Sequence, residues 1–226
     1  RRRAVHRLAD LLGLDKEISR DEVFELSGGH PLATRYLIEA LRNANKAGRE
    51  TLLAGAITFD GDIALVYQSA WHGLQDDEEA QEVLAHIARA ESPMPLELLA
   101  NALPEEAIER AFKSTKHLLS ENMHGWRVFH NSFRLFILGK PRIRLGKADP
   151  AYDLSIYRKL AELASKARPD NPQRWLDLRY FARAQEHAAV IERALPARFR
   201  RQLAEGRAFT ELQADIRLAF ASAKVT

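Results

Sequence analysis

The sequence predicts a mainly α protein carrying one short β-hairpin. Three observations predict it. Apolar residues recur at spacings of three and four through most of the 226 residues. Gly and Pro fall between those segments more than within them. Alternation with a period of two is confined to one short stretch, where Trp126, Val128 and His130 alternate with Arg127 and Phe129. Hydrophobic residues at 46% and charged residues at 29% give the balance of a core-forming chain. No apolar run approaches the roughly 18 residues needed to cross a bilayer, so no membrane partner is expected. Cysteine is absent, which excludes disulfides and thiolate metal sites and fits a cytoplasmic location. The chain opens Arg-Arg-Arg-Ala without Met, so it reads as a piece of a longer protein.

Val5, Leu8, Ala9 and Leu12 predict a first helix, closed by Gly13 at the position that favours a left-handed residue. Ser19-Arg-Asp-Glu22 is a capping box that opens a short second helix through Val23, Phe24 and Leu26. Gly28-Gly29 ends it. His30-Pro31 follows, and Pro31 suits the first turn of a third helix, where its missing N–H is not needed. Residues 48–61 form a weaker segment: Leu52, Leu53, Ile57 and Phe59 are apolar, but Gly55 and Gly61 punctuate them. Asp62 opens a helix through Val66, Tyr67 and Trp71. The acidic run Gln75–Glu79 opens another, where negative charge complements the helix dipole.

From residue 79 the expected order is a helix, a Pro-bounded turn at 92–95, a short helix and a longer helix over 104–120. A turn then leads to the strand at Trp126. Three helices followed by a hairpin strand make a winged-helix arrangement. Asn131 and Ser132 are good N-caps, and Phe133, Phe136 and Ile137 follow at helical spacing. His130 is thereby placed at a strand end beside the free N–H groups of a new helix, a position that favours anions. Residues 139–150, rich in Pro, Gly and Lys/Arg, read as a linker. Beyond it come antiparallel helices: one over 154–164, one from Trp175 to Ile191, and a closing face of Leu212, Ile216, Ala219 and Phe220. They suggest an α-solenoid without a clear repeat. The organisation is thus 1–72 as a helical bundle, 73–140 as the winged helix and 150–226 as a helical interaction region.

Three segments resemble one family in the right order. Gly29-His-Pro-Leu-Ala-Thr-Arg-Tyr-Leu-Ile-Glu-Ala-Leu41 resembles the lid helix of STAND-class signalling ATPases, the class of NACHT and NB-ARC proteins. Val128-Phe-His-Asn-Ser-Phe-Arg-Leu-Phe136 resembles the ending of a NACHT-type winged helix, and the helices from Trp175 resemble the sensor arrays that follow. The resemblance implies a regulatory fragment of a nucleotide switch, in pathways such as defence, transcription or cell death. ADP or ATP would be shared with an upstream P-loop NTPase domain, which would also hold Mg. Gly29, His30 and Pro31 would approach the nucleotide, Pro31 at the adenine, and His130 would read the phosphates. The C-terminal helices would bind a protein trigger or a second copy. One departure is large: no Gly-x-x-x-x-Gly-Lys-Ser/Thr occurs, so this chain is not expected to hydrolyse ATP by itself.

Other chemistry is less well supported. The eight histidines include no His-x-x-x-His pair, so no metal site is expected. No Gly-x-Ser-x-Gly elbow is present. DNA binding by the winged helix remains an alternative, as does a helical interaction module that needs no nucleotide. Residues 151–226 hold 14 Lys/Arg against 9 Asp/Glu, a net of +5 that leaves −2 for the rest. Against DNA, the would-be recognition helix opens Pro104-Glu-Glu-Ala-Ile-Glu109, which would repel phosphates. Arg198, Arg200, Arg201 and Arg207 form the densest basic cluster and read as a solvated helix face.

Overall fold

The computed structural model describes residues 1–55, 59, 61–144 and 147–226. Ile57 and Gly146, read above as part of the weak segment and the linker, lie outside the described residues. The chain is mainly helical, with fourteen α-helices and two small antiparallel hairpins among the described residues. None of those helices is long and apolar enough to cross a membrane.

Helix α1 (Arg2–Leu11) buries Val5 and Ala9. It ends at Gly13, whose φ is +69°. Gly13 N–H bonds to Asp10 O and Leu14 N–H to Ala9 O, the paired closing bonds of a Schellman end. Ser19 caps α2 (Arg20–Ser27) by accepting from Glu22 N–H, as the capping-box spacing requires. Helix α3 (Pro31–Asn43) packs on both and buries Ile38 and Leu41 with Val5, Val23 and Leu14 in a small separate core. The weak segment contributes a helix, α4 (Lys46–Gly55). The Asn45 side chain accepts from Gly48 N–H at 2.8 Å, a cap that offsets the helix-weakening glycine. Helix α5 (Ile63–His72) starts at its expected cap, Asp62.

Helix α6 (Glu78–Arg89), capped by Asp77, is the centre of the molecule. Its hydrophobic residues Val83, Leu84 and Ile87 are buried, and so are His86 and Arg89. Helices α7 (Leu96–Ala100) and α8 (Glu105–Thr115) follow, then a 3₁₀ turn at Lys116–Leu118. The hairpin pairs β1 (Leu119–Asn122) with β2 (Gly125–Val128), Leu119 opposite Val128. Met94, in the turn before α7, pairs with Trp126 through N–H···O bonds of 2.7 and 2.8 Å. The strand is shorter than its alternation predicts, because His130 leaves it to serve the next helix.

Gly125 carries that junction. Its φ is +121°, and a Cβ there would lie 2.4 Å from the Met94 carbonyl carbon. Gly125→Ala is therefore expected to lower stability by roughly 1–3 kcal/mol from backbone strain, read as a fall in the urea unfolding midpoint.

Helix α9 (Asn131–Leu138) leads into the expected linker. Two-residue strands β3 (Ile143–Arg144) and β4 (Lys147–Ala148) pair there, and Arg142 forms ion pairs with Glu78 and Glu82 of α6. The remaining elements are α10 (Tyr152–Ser165), a 3₁₀ turn at Pro172–Trp175, α11 (Asp177–Arg183), α12 (His187–Arg193), α13 (Pro196–Ala204) and α14 (Phe209–Val225). The single helix expected from Trp175 to Ile191 is broken into pieces. Gln185, at φ +61°, is the one non-glycine residue with positive φ among those described. Its N–H bonds to Ala182 O and Glu186 N–H to Phe181 O, another Schellman end, formed without glycine. Helix α10 packs on α6, and one apolar core runs from Tyr36 and Tyr67 through α6 to Val190.

Candidate functional site

The resemblance singles out two turns, and the structure describes both. Gly28 and Gly29 have φ of +57° and +66° and close α2 with a third Schellman pair, Gly28 N–H to Glu25 O and Gly29 N–H to Phe24 O. A Cβ on Gly29 would meet the Phe24 ring at 2.8 Å, so glycine is needed for packing as well as for conformation. His30 is the N-cap of α3: its Nδ1 accepts from Ala33 N–H at 3.3 Å, and its ring lies 4.7 Å from that of Phe59. Pro31 takes the first helical position and is exposed.

His130 is also exposed, and it is itself the cap of α9, the role expected of Asn131 or Ser132. Its Nδ1 accepts from Ser132 N–H at 3.2 Å and lies 2.7 Å from Ser132 Oγ. A backbone N–H can only donate, so Nδ1 is unprotonated and the neutral ring carries its hydrogen on Nε2. That Nε2–H makes no hydrogen bond to a described residue. Ser132 Oγ is held in turn by the buried Tyr67 hydroxyl at 2.5 Å.

The two turns belong to elements that touch. The Arg35 guanidinium stacks on the Phe129 ring at 3.8 Å, and Tyr36 meets Phe129 edge-on with centroids 6.2 Å apart. Tyr36 also faces Tyr67 at 6.0 Å. Burial, with Tyr67 as a second cause, raises the Tyr36 phenol well above its usual pKa and keeps it neutral. Helix α3 therefore reaches the residue before His130. Pro31 sits about one turn, roughly 6 Å of helix rise, back from Arg35. The large cleft beside α3 includes neither Pro31 nor His130 in its lining. Arg35, Phe129, Tyr67 and Ser132 tie this region together; the quoted segments contain three of them, but the pairings of Arg35 with Phe129 and of Tyr67 with Ser132 are contacts distant in sequence.

The basic cluster is a solvated face only in part: Arg200 and Arg201 are exposed as the sequence suggests, and the structure corrects the reading for Arg198 and Arg207. The Arg207 side chain is fully buried and lies 2.7 Å from the equally buried Asp215. Asp215 also accepts from Arg179 Nε at 2.9 Å, and Arg179 reaches Glu91 at 3.2 Å. Arg198 forms a two-pronged pair with buried Asp177, and Arg201 pairs with Glu205. On α8, Arg110 is tied to Asp77 and Glu79. These carboxylates occupy cations that phosphates would otherwise engage. Among the described residues, no group of three His, Asp or Glu side chains gathers to hold a metal ion.

Set against models of known protein families, against curated proteins and against solved structures, the chain matches none.

Proposed function

We propose that this chain is the regulatory, nucleotide-sensing part of a STAND-type signalling ATPase. In this reading, α1–α5 are the lid and residues 73–140 a winged helix. The order of α6, the Met94 bridge, α7, α8 and the hairpin supports that subdivision. Residues 150–226 are the start of a helical sensor array, supported by the packing of α10 on α11, α11 on α12 and α12 on α14. ADP bound by an upstream P-loop domain meets Pro31 and His130 and holds the closed state. A protein trigger or second copy at the C-terminal helices favours the open one. Phe209, Ile216 and Phe220 are exposed along α14, and 209, 216 and 220 share one face of a 3.6-residue helix. That apolar stripe suits such a contact.

The observation that carries the proposal is the His130 ring. Its tautomer is set by the α9 cap, and an exposed Nε2–H is left for an acceptor at a helix start. The residues fit a nucleotide there in chemistry: an exposed donor for a phosphate and an exposed proline ring for a base. When bound, the nucleotide supplies the charge that His130 reads. His130→Ala in the full-length protein is expected to speed ADP dissociation about tenfold to a hundredfold, the worth of one hydrogen bond to a charged group. Basal signalling should rise with it. His130→Asn, which retains a capping side chain, should behave alike and so separates the effect from loss of the cap. An unchanged ADP dissociation rate in both variants refutes the proposal.

A further inference from the structure

The cleft beside α3 has a different chemistry from the nucleotide reading and does not depend on it. It lies between α3, α4 and α5, with the end of α8 and the following turn at its base, and encloses about 440 Å³. That is within the roughly 300–1,000 Å³ typical of small-molecule sites. Its walls are mostly apolar, from Ala33, Leu37, Leu52, Phe59, Leu65 and Val66. No Lys or Arg is among the described residues that line it, and Asp62, the α5 cap, is the carboxylate among those described residues.

The polar feature is His117. It retains part of its surface at the cleft while protein encloses it elsewhere, and burial pushes its pKa down to about 4. Its ring meets Tyr36 edge-on at 6.4 Å, and it makes no hydrogen bond to a described residue. A neutral imidazole offers one donor and one acceptor, and a ligand seated between these apolar walls would bond to it at the cleft in place of water. Among the described lining residues an anion entering here would find no cation to pair with. A cation would have to shed its water against leucine and valine.

We infer that this cleft binds a small, uncharged, mainly apolar molecule whose polar end hydrogen-bonds to His117. Benzamide and benzoate test it, since they share the ring and differ in the charge of the polar end. Titrated into the whole chain at millimolar concentrations and followed by ¹H–¹⁵N NMR, benzamide is expected to shift Leu37, Val66 and His117. Benzoate should bind at least about tenfold more weakly, and His117→Phe should cost benzamide about tenfold in affinity, the equivalent of one hydrogen bond. Ser69→Trp, at an exposed position on the rim, should block the cleft without touching the core and abolish the shifts. That variant keeps the test decisive if His117→Phe fails to fold. Absence of cleft shifts with benzamide, equal binding of benzoate, or undiminished binding by Ser69→Trp overturns the inference.

Discussion

Asp215→Ala is expected to lower the unfolding free energy by about 3–5 kcal/mol, because it strands a buried guanidinium. Neither the Arg207 nor the Asp215 side chain is exposed. Asp215 holds two cations, Arg207 at 2.7 Å and Arg179 at 2.9 Å. With the carboxylate gone, Arg207 retains Gln202 and the half-exposed Glu211, and only Glu211 is an anion. Arg179 keeps Glu91. The comparison is Arg201→Ala, which removes the pair of an exposed arginine with Glu205 at the end of α13 and should leave the urea midpoint almost unchanged. If the two variants unfold at the same urea concentration, Arg207 is not dependent on Asp215 for its charge.

The second large effect is one of pH. His86 is fully buried on α6, and its Nδ1–H donates to Glu82 O at 2.8 Å. Its Nε2 is enclosed without a partner. Burial pushes its pKa down to about 4, and the same cause acts on His117. Between about pH 6.5 and 4 the unfolded chain therefore binds more protons than the folded one, so stability falls on acidification through that window. Going from pH 7 to 4.5 is expected to remove about 2–3 kcal/mol for each histidine. The lowered aspartates act in the same direction but mainly below that range. Asp77, held down chiefly by Arg110, contributes stability that is present above the ordinary carboxylate pKa and lost only below it. Urea midpoints measured across pH should slope over the window, and His86→Phe should flatten the curve by about half. A flat wild-type profile between pH 7 and 5 would show that neither ring resists protonation.

Much of the helical order is legible because its signals are local. Ser19, Asp62 and Asp77 cap the helices that their spacing announces, and Gly13 and Gly28 close theirs with positive φ. What escapes local reading depends on tertiary context. Asn45 rescues a helix through glycine-containing sequence. Gln185 adopts a conformation usually left to glycine, and the cost is met by the two closing bonds of its turn. Arg207 looks like a surface residue from composition, yet Asp215, eight positions on, draws it inside. At the candidate site, the helix start after His130 is readable from Asn131 and Ser132. That the histidine caps the helix itself, and that Arg35 lies over Phe129, are consequences of how distant helices pack.

The continuous core from α5 through α6 to α12 seats the hairpin and the C-terminal helices on one apolar interior. Arg179 and Arg183 bolt the far end of α11 to Glu91, just past α6. The small core of α1–α3 has its own set of side chains, yet Tyr36 and Leu32 of α3 also join the larger core, so α3 belongs to both.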